Sequence, residues 1–185
     1  MRYKRLGRTE LNVSSVSLGG AYIDGKDTEG MEQNAIELVS RAWETGCNYI
    51  DTAPLYGESE RLLGQALTVV NQPFFIATKV GFKPEGFDYK RDSVLTSLER
   101  SLGLLGVDKV TVAQIHEVNL AGWERIMEPG GALEGLHEAQ QRGLCEFVGI
   151  TARAIPLLAE LAETGELDTV LCYHDYHPCK KLASE

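Results

Sequence analysis

The sequence predicts an α/β protein with a parallel β-sheet, because strand-like and helix-like segments alternate along its 185 residues. Short apolar runs that are rich in β-branched and aromatic residues recur, and segments with helical spacing of apolar residues separate them. Near-continuous apolar strands joined by helices are typical of a parallel sheet covered by helices. Both a doubly wound open sheet and a (β/α) barrel are compatible with this pattern.

Six strand–helix units are predicted in order, after a small hairpin that residues 1–12 form around the turn Gly7-Arg8. The predicted strands are Val13–Leu18, Tyr49–Thr52, Phe74–Thr78, Val110–Ile115, Glu146–Ile150 and Thr169–Tyr173. The predicted helices are Met31–Thr45, Glu58–Val70, a segment with an apolar stripe from Val94 to Leu105 and Asp92 as its cap, Ala132–Arg142 and Ile155–Ala162. No internal domain boundary is visible.

The first strand-to-helix turn argues against an open sheet of the dinucleotide-binding type. It reads Leu18-Gly19-Gly20-Ala21-Tyr22, which is not the G-x-G-x-x-G pattern of that fold. In both architectures the chemistry belongs at the carboxyl ends of the strands.

Composition and charge exclude several classes of partner. A net charge of −9 without a basic run argues against a nucleic-acid backbone or an anionic membrane surface as a partner. The start Met1-Arg2-Tyr3-Lys4-Arg5 has no apolar core of a signal peptide, and no stretch approaches 18 apolar residues. The four scattered cysteines lack the spacing of a disulfide scaffold, so we expect a cytoplasmic protein with reduced thiols.

Three successive strands end at, or just before, an ionisable residue. Asp51 ends the second strand, Lys79 follows the third and His116 follows the fourth, while Tyr56 lies in the loop after Asp51. Because parallel strands end at one edge of a sheet, these four residues are expected to converge. One such residue alone is as easily a structural pair, but the four together indicate a catalytic site.

The residue types suit hydride addition to a carbonyl, which leaves an oxyanion to be protonated. A phenol with an ordinary pKa near 10 is a slow acid at pH 7, and a neighbouring ammonium stabilises the phenolate. The sequence therefore predicts that Lys79 makes Tyr56 a stronger acid. Asp51 is the expected partner of the buried Lys79, and His116 is expected to hydrogen-bond the substrate oxygen.

In their local settings these residues resemble the catalytic tetrad of the aldo-keto reductases. The settings are Ile-Asp-Thr-Ala-x-x-Tyr-Gly, Thr-Lys and Gln-Ile-His. Further similar segments are Arg5-Leu6-Gly7-Arg8-Thr9, Leu18-Gly19-Gly20, Glu60-x-x-Leu63-Gly64-x-Ala66-Leu67 and Phe147-Val148-Gly149-Ile150. The resemblance covers residues 1–173 and leaves 174–185 as a polar tail without a visible pattern.

The resemblance implies an eight-stranded (β/α) barrel that uses NADPH or NADH to interconvert carbonyls and alcohols. The implied catalytic residues are Asp51, Tyr56, Lys79 and His116, and the implied cofactor-binding residues are Gly20, Ala21, Asp51 and Thr151. The substrate would be a small aldehyde, ketone or aldose.

Three departures from the family pattern bear on this expectation. Thr151-Ala152 stands where a Ser-Asn pair commonly holds the nicotinamide carboxamide, and Leu171 lies in the strand where a Gln is usual. Glu117 follows the histidine where an aromatic residue or Asp is frequent, which bears on substrate choice.

The chain holds six of the eight expected strands, and the loops that contact the cofactor diphosphate follow strands seven and eight. We therefore expect the 185-residue chain to self-associate through its open sheet edges and to reduce a test aldehyde at a rate near background. The alternative prediction is a non-catalytic fragment that binds itself or a partner through those edges.

A zinc-stabilised module is the third and weakest interpretation. Cys172, His174, His177 and Cys179 form a C-x-H-x2-H-x-C pattern that offers two thiolates and two imidazoles. Its spacing is unusual, so we expect no metal and read the segment as a strand end followed by a solvated tail.

Overall fold

The structure is a computed structural model that describes residues 1–23, 25, 30–174, 176–177 and 179–181. Over these residues its main element is a sheet of six parallel strands. The strands are β3 (Leu18–Gly19), β4 (Tyr49–Asp51), β5 (Phe75–Val80), β8 (Val110–Ile115), β9 (Cys145–Ala152) and β10 (Thr169–Cys172). Three short antiparallel pairs accompany them: β1 (Tyr3–Arg5) with β2 (Asn12–Ser14), β6 (Phe82–Lys83) with β7 (Gly86–Phe87), and β11 (Tyr176–His177) with β12 (Lys180–Lys181).

The strand order separates the two predicted architectures. The sheet runs β3-β4-β5-β8-β9-β10, so each strand pairs with the next parallel strand along the chain and the order never reverses. A doubly wound sheet needs a reversal of strand order, whereas right-handed crossovers that always advance keep all helices on one face. The curled sheet is therefore part of a (β/α)8 barrel, the architecture that the family resemblance implied, and the described residues contain six of its parallel strands.

The helices cover the outer face of the sheet. They are α1 (Met31–Glu44), α2 (Ser59–Val70), α3 (Arg91–Leu105), α4 (Val118–Met127), α5 (Ala132–Gln141) and α6 (Ile155–Glu163). Their inward residues form one core with the outward side chains of the strands, and Leu63, Leu98 and Leu136 are fully buried there with Ile115 and Ile150. Burial of this apolar surface is the main driving force that holds helices and sheet together.

The amino-terminal hairpin lies at the amino ends of the strands and touches both sides of the partial barrel. Asn48, just before β4, accepts a hydrogen bond from the Ser14 amide at 2.7 Å. On the other side the Arg8 guanidinium donates to the carbonyls of Gly165 and Leu167, at 2.6 and 2.5 Å. Gly7 has a φ of 51°, and a Cβ on it would lie 2.5 Å from the Asp168 carbonyl oxygen, so this approach requires glycine.

Two local predictions were wrong. The predicted strand Val13–Leu18 is split, because Val13 and Ser14 belong to the hairpin and only Leu18 and Gly19 join the parallel sheet. Asp92 is not a helix cap: α3 begins at Arg91 after Lys90, and Asp92 lies in its first turn. Asp88 binds the Lys90 amide instead, at 3.2 Å.

Three elements have no counterpart in the prediction. They are the β6–β7 hairpin, helix α4 and the β11–β12 pair, which gives the tail backbone structure where no pattern was visible. None of the helices in the described ranges is long and apolar enough to cross a membrane.

Strand register sets the level of the inward side chains. Asp51 pairs with Ala77, Lys79 with Gln114, and Gln114 with Gly149. Because side chains alternate along a strand, Lys79, Gln114 and His116 point to the inner face at the carboxyl end of the barrel. Thr78, the residue before Lys79 on β5, points to the helices and donates to Glu60 on α2.

Candidate active site

Asp51 and Lys79 form a buried ion pair at the carboxyl end of β4 and β5. Lys79 is 1% exposed and its Nζ donates to Asp51 Oδ2 at 2.6 Å and to the Thr52 carbonyl at 2.9 Å. The Asp51 side chain keeps 16% exposure, so the pair is open to the rim on one side. An ammonium that is taken out of water needs a counter-charge and hydrogen-bond acceptors, and these two oxygens provide both.

Tyr56 lies in the loop between β4 and α2, and the structure brings it to this pair. Its amide donates to the Ala53 carbonyl at 3.0 Å, which shapes the loop as a tight turn. Lys79 Nζ lies 4.8 Å from the centroid of the half-buried Tyr56 ring. This distance is within the range of a cation–π contact, so the cation stabilises the ring in place.

His116 completes the group on the next strand. Its ring meets the Tyr56 ring edge to face at a centroid distance of 5.9 Å, and the residue is 4% exposed. Burial, and next the nearby Lys79 charge, lower the pKa of His116 to about 3. The imidazole is therefore neutral at pH 7 and carries one donor and one acceptor nitrogen.

Gln114 was not predicted as a site residue, yet it touches the ion pair. Its Nε2 donates to Asp51 Oδ1 at 3.3 Å, and the residue is 2% exposed. Among the described residues its Oε1 and His116 Nδ1 are buried atoms without a hydrogen-bond partner. The signal in the sequence was the two-residue spacing from His116, which places both side chains on the inner face.

An aromatic wall borders His116 on the side of the β6–β7 hairpin. Phe87 meets the His116 ring edge to face at 5.8 Å and stacks on Tyr89 at 5.8 Å. Phe82 packs against Phe87 at 5.4 Å. Sequence reasoning missed this wall because it is carried by two-residue strands, which have no readable period.

The residues expected to hold a cofactor fall at the same end of the sheet. Gly20 is buried, and a Cβ there would lie 2.5 Å from Ser59 Oγ, so the packing of α2 already explains this glycine. Ala21 is exposed in the turn that follows. Thr151 is 1% exposed on the inner face of β9, whereas Ala152 belongs to the apolar core beneath the helices.

This set fits the nicotinamide end of a dinucleotide in its chemistry. Asp51 shares the Lys79 ammonium with the Tyr56 phenol, which meets the neutral His116 imidazole, and Thr151 adds a hydroxyl on the inner face of β9. Such hydrogen-bonding side chains suit a flat polar ring next to a carbonyl. The Ala152 side chain offers no hydrogen bond, so within this pair only Thr151 could hold a carboxamide by its side chain.

The C-x-H-x2-H-x-C segment is described in part. The side chain of His177 lies outside the described residues. In the remainder no group of three His, Cys, Asp or Glu side chains is placed to hold a metal ion.

Comparison with known proteins identifies the family. Residues 15–185 match the model of the Aldo/keto reductase family, so this chain, which folds as part of a (β/α)8 barrel, belongs to that family. It is 30% identical over 181 residues to L-galactose dehydrogenase of Arabidopsis thaliana, which covers 94% of this chain and 56% of that protein. It is 34% identical over 177 residues to D-arabinose 1-dehydrogenase of Saccharomyces cerevisiae, covering 88% of this chain and 52% of that protein.

Solved structures agree. The holo form of aldo-keto reductase AKR11C1 from Bacillus halodurans superposes with a TM-score of 0.74 at 26% identity, covering 88% of this chain and 54% of that one. The chain thus spans about half the length of the curated relatives it matches.

Proposed function

We propose that the chain carries the catalytic half of a nicotinamide-dependent oxidoreductase that interconverts a carbonyl and an alcohol, with NADPH or NADH as cofactor. The observation that carries the proposal is the buried Lys79–Asp51 pair at 2.6 Å, with the Tyr56 ring 4.8 Å from the same ammonium. Membership of the aldo-keto reductase family and dehydrogenase relatives support it.

Tyr56 is the proposed general acid in reduction and the general base in oxidation. When it gives up its proton to the substrate oxygen, the Lys79 ammonium stabilises the phenolate that remains. Asp51 holds the ammonium in position and Gln114 holds Asp51, so the charge needs no rearrangement during the reaction.

His116 is proposed to orient the substrate. A neutral imidazole can donate one N–H to the carbonyl oxygen without adding a second cation beside Lys79. The aromatic wall of Phe87 and Tyr89 keeps water away from this side of the oxygen.

Asp51 and Thr151 would hold the nicotinamide end of the cofactor, with the backbone of Gly20 and Ala21 beside Asp51, since Gly19 on β3 pairs with Asp51 on β4. When bound, the nicotinamide supplies the hydride in reduction and accepts it in oxidation. The substrate is proposed to be a small aldehyde, ketone or aldose, because two relatives are named for sugar oxidation.

Two measurements on the 185-residue chain test the proposal. NADPH is titrated by fluorescence, and its oxidation is then followed with a test aldehyde. We expect saturable binding, and a rate near background in the 185-residue chain because it has six of the eight strands. A chain extended with strands seven and eight of a relative should turn the aldehyde over, and Tyr56→Phe should abolish this turnover while the matched surface variant Tyr3→Phe leaves it unchanged. Equal turnover by the extended chain with and without Tyr56→Phe contradicts the assignment.

A second candidate function, self-association without catalysis, is favoured by the edges of the sheet. Over the described residues, β3 and β10 each pair on one side, and Val170 on β10 is 43% exposed. An unpaired parallel edge offers backbone groups to another chain. Light scattering after size exclusion should then show oligomers that Val170→Lys disperses; a monomer at every concentration contradicts this candidate.

A further inference from the structure

Glu117 has a backbone conformation that a non-glycine residue rarely adopts. Its φ and ψ are 53° and 52°, in the left-handed region, directly after His116. The Tyr89 hydroxyl lies 2.9 Å from the carbonyl oxygens of both His116 and Glu117 and fixes this conformation. Strained residues that their surroundings hold in place cluster at functional sites. Glu117 is therefore a candidate for contact with a ligand.

The side chain of Glu117 is also held. The Tyr173 hydroxyl donates to Glu117 Oε1 at 2.6 Å, the length of a charge-assisted hydrogen bond. Burial first, and then this bond to Glu117, raise the pKa of Tyr173 to about 12, so the hydroxyl stays protonated. The Arg153 guanidinium lies 5.6 Å from the centroid of the Tyr173 ring and packs against it.

These groups lie at the same rim as the catalytic set. Glu117, Arg153 and Tyr173 follow the carboxyl ends of β8, β9 and β10 in turn. Tyr56 is close enough to Tyr173 to contribute to the rise in its pKa. The rim therefore has an apolar wall where Phe87 contacts His116, and a polar wall at Glu117, the residue that follows His116.

At this rim the Glu117 carboxylate can accept a hydrogen bond from a ligand. Tyr173 donates to Oε1, and within the described residues the Glu117 carboxylate makes no second hydrogen bond, so Oε2 can accept one from a ligand. A hydroxyl of a ligand is a donor that a carboxylate binds well, while C–H groups pack on an aromatic ring. An unsubstituted alkyl aldehyde satisfies the apolar wall only.

We propose that Glu117, positioned by Tyr173, is a specificity-determining residue that binds hydroxyl groups near the carbonyl and selects hydroxylated carbonyl substrates over alkyl ones. This inference rests on the proposed function, because it places the substrate carbonyl beside His116 and Tyr56.

The test uses a pair of substrates that differ in hydroxyl groups alone, glyceraldehyde and propionaldehyde. The readout is the ratio of their kcat/KM values with NADPH, measured in the chain extended with strands seven and eight of a relative. We expect Glu117→Gln, which keeps the shape and an acceptor for Tyr173, to lower this ratio roughly tenfold. Glu117→Leu should lower it up to about a hundredfold. Glu124→Gln on the exposed face of α4 is the matched control and should keep the ratio.

Binding of the corresponding alcohols separates this proposal from the proposed function. Glycerol and 1-propanol are compared by saturation-transfer NMR on the 185-residue chain and on the extended chain, each with the same substitutions. If no carbonyl is turned over but the glycerol signal depends on Glu117, the proposed function fails and the hydroxyl subsite stands. An unchanged substrate ratio, a parallel fall for both substrates, or, without turnover, a glycerol signal indifferent to Glu117→Gln overturns the subsite.

Discussion

The two ends of the strands treat polar side chains in different ways. At the amino end Arg8 binds two backbone carbonyls and Asn48 accepts a backbone amide, and these groups stay in contact with water. At the carboxyl end the ammonium of Lys79 is 1% exposed, and His116 is buried in its neutral form.

This difference indicates that polar side chains serve stability at the amino end and chemistry at the carboxyl end. Hydrogen bonds at the amino end attach the hairpin to the strands and so contribute to stability. At the carboxyl end the same kinds of side chain are desolvated next to one another, which costs free energy unless each is paired. In (β/α) barrels the carboxyl face is where catalysis is found, and the opposite face contributes to stability.

The largest expected effect comes from breaking the buried pair. Lys79→Met leaves Asp51 without its counter-charge, and we expect the free energy of unfolding to fall by about 3 kcal/mol. Lys109→Met is the matched control at the amino end, because Lys109 pairs with Glu146 at the same 2.6 Å but with a side chain 57% exposed. That variant should lose at most about 0.5 kcal/mol in urea unfolding. Equal losses would remove the contrast between the two ends.

The pH dependence of stability sharpens the contrast through His116. Its pKa is about 3 in the folded chain and ordinarily near 6.5, so between these values the unfolded chain binds a proton that the folded chain does not. Stability is therefore full above pH 6.5 and falls as the pH is lowered. At pH 5 the loss is about 2 kcal/mol relative to pH 8.

The variant His116→Asn should lack this contribution. Urea unfolding at pH 8, 6 and 5 should show a smaller decline for the variant than for the unsubstituted chain. Parallel declines would mean that the imidazole is not desolvated.

At the amino end the effect is smaller and does not reach the site. Arg8→Met removes two hydrogen bonds to the carbonyls of Gly165 and Leu167, and we expect a loss of about 1 kcal/mol because the residue is exposed. Arg8→Lys should retain part of the stabilisation that these two hydrogen bonds provide. At temperatures where the fold is intact, Tyr56-dependent turnover should be the same in both variants; a selective loss of turnover would contradict the structural role.

Most of the fold, and the convergence of the residues at the centre of the site, could be predicted from the sequence for a physical reason. Asp51, Lys79 and His116 lie at or next to the carboxyl ends of apolar strands, and a parallel sheet brings these ends together whatever the conformation of the loops. Helices with an apolar stripe were predicted close to their observed bounds, since their inward face is buried against the sheet.

What could not be predicted depends on contacts between distant segments. The β6–β7 hairpin has two residues per strand, and α4 contains Gly122 with a φ of 76°, so neither shows a clean period. The contact between Glu117 and Tyr173 joins residues 56 positions apart. Only the folded sheet places β10 beside β9 and so brings Tyr173 to the rim.

Substitution of Gln114 tests whether this residue at the rim contributes to stability or to catalysis. Gln114→Met removes the 3.3 Å hydrogen bond to Asp51, which costs free energy, but it also removes the buried Oε1 atom that has no partner among the described residues. Because the two effects oppose each other, we expect the free energy of unfolding to change by less than about 0.5 kcal/mol, while turnover falls as Asp51 loses its support. Gln140→Met is the control at the amino end, where Nε2 donates to the Glu146 carbonyl at 2.8 Å and nothing offsets its loss, so about 0.5–1 kcal/mol should disappear with turnover intact. If Gln114→Met is the more destabilising of the two and turnover is unaffected, Gln114 belongs with the structural contacts of the amino end, and the division between the two ends fails at that residue.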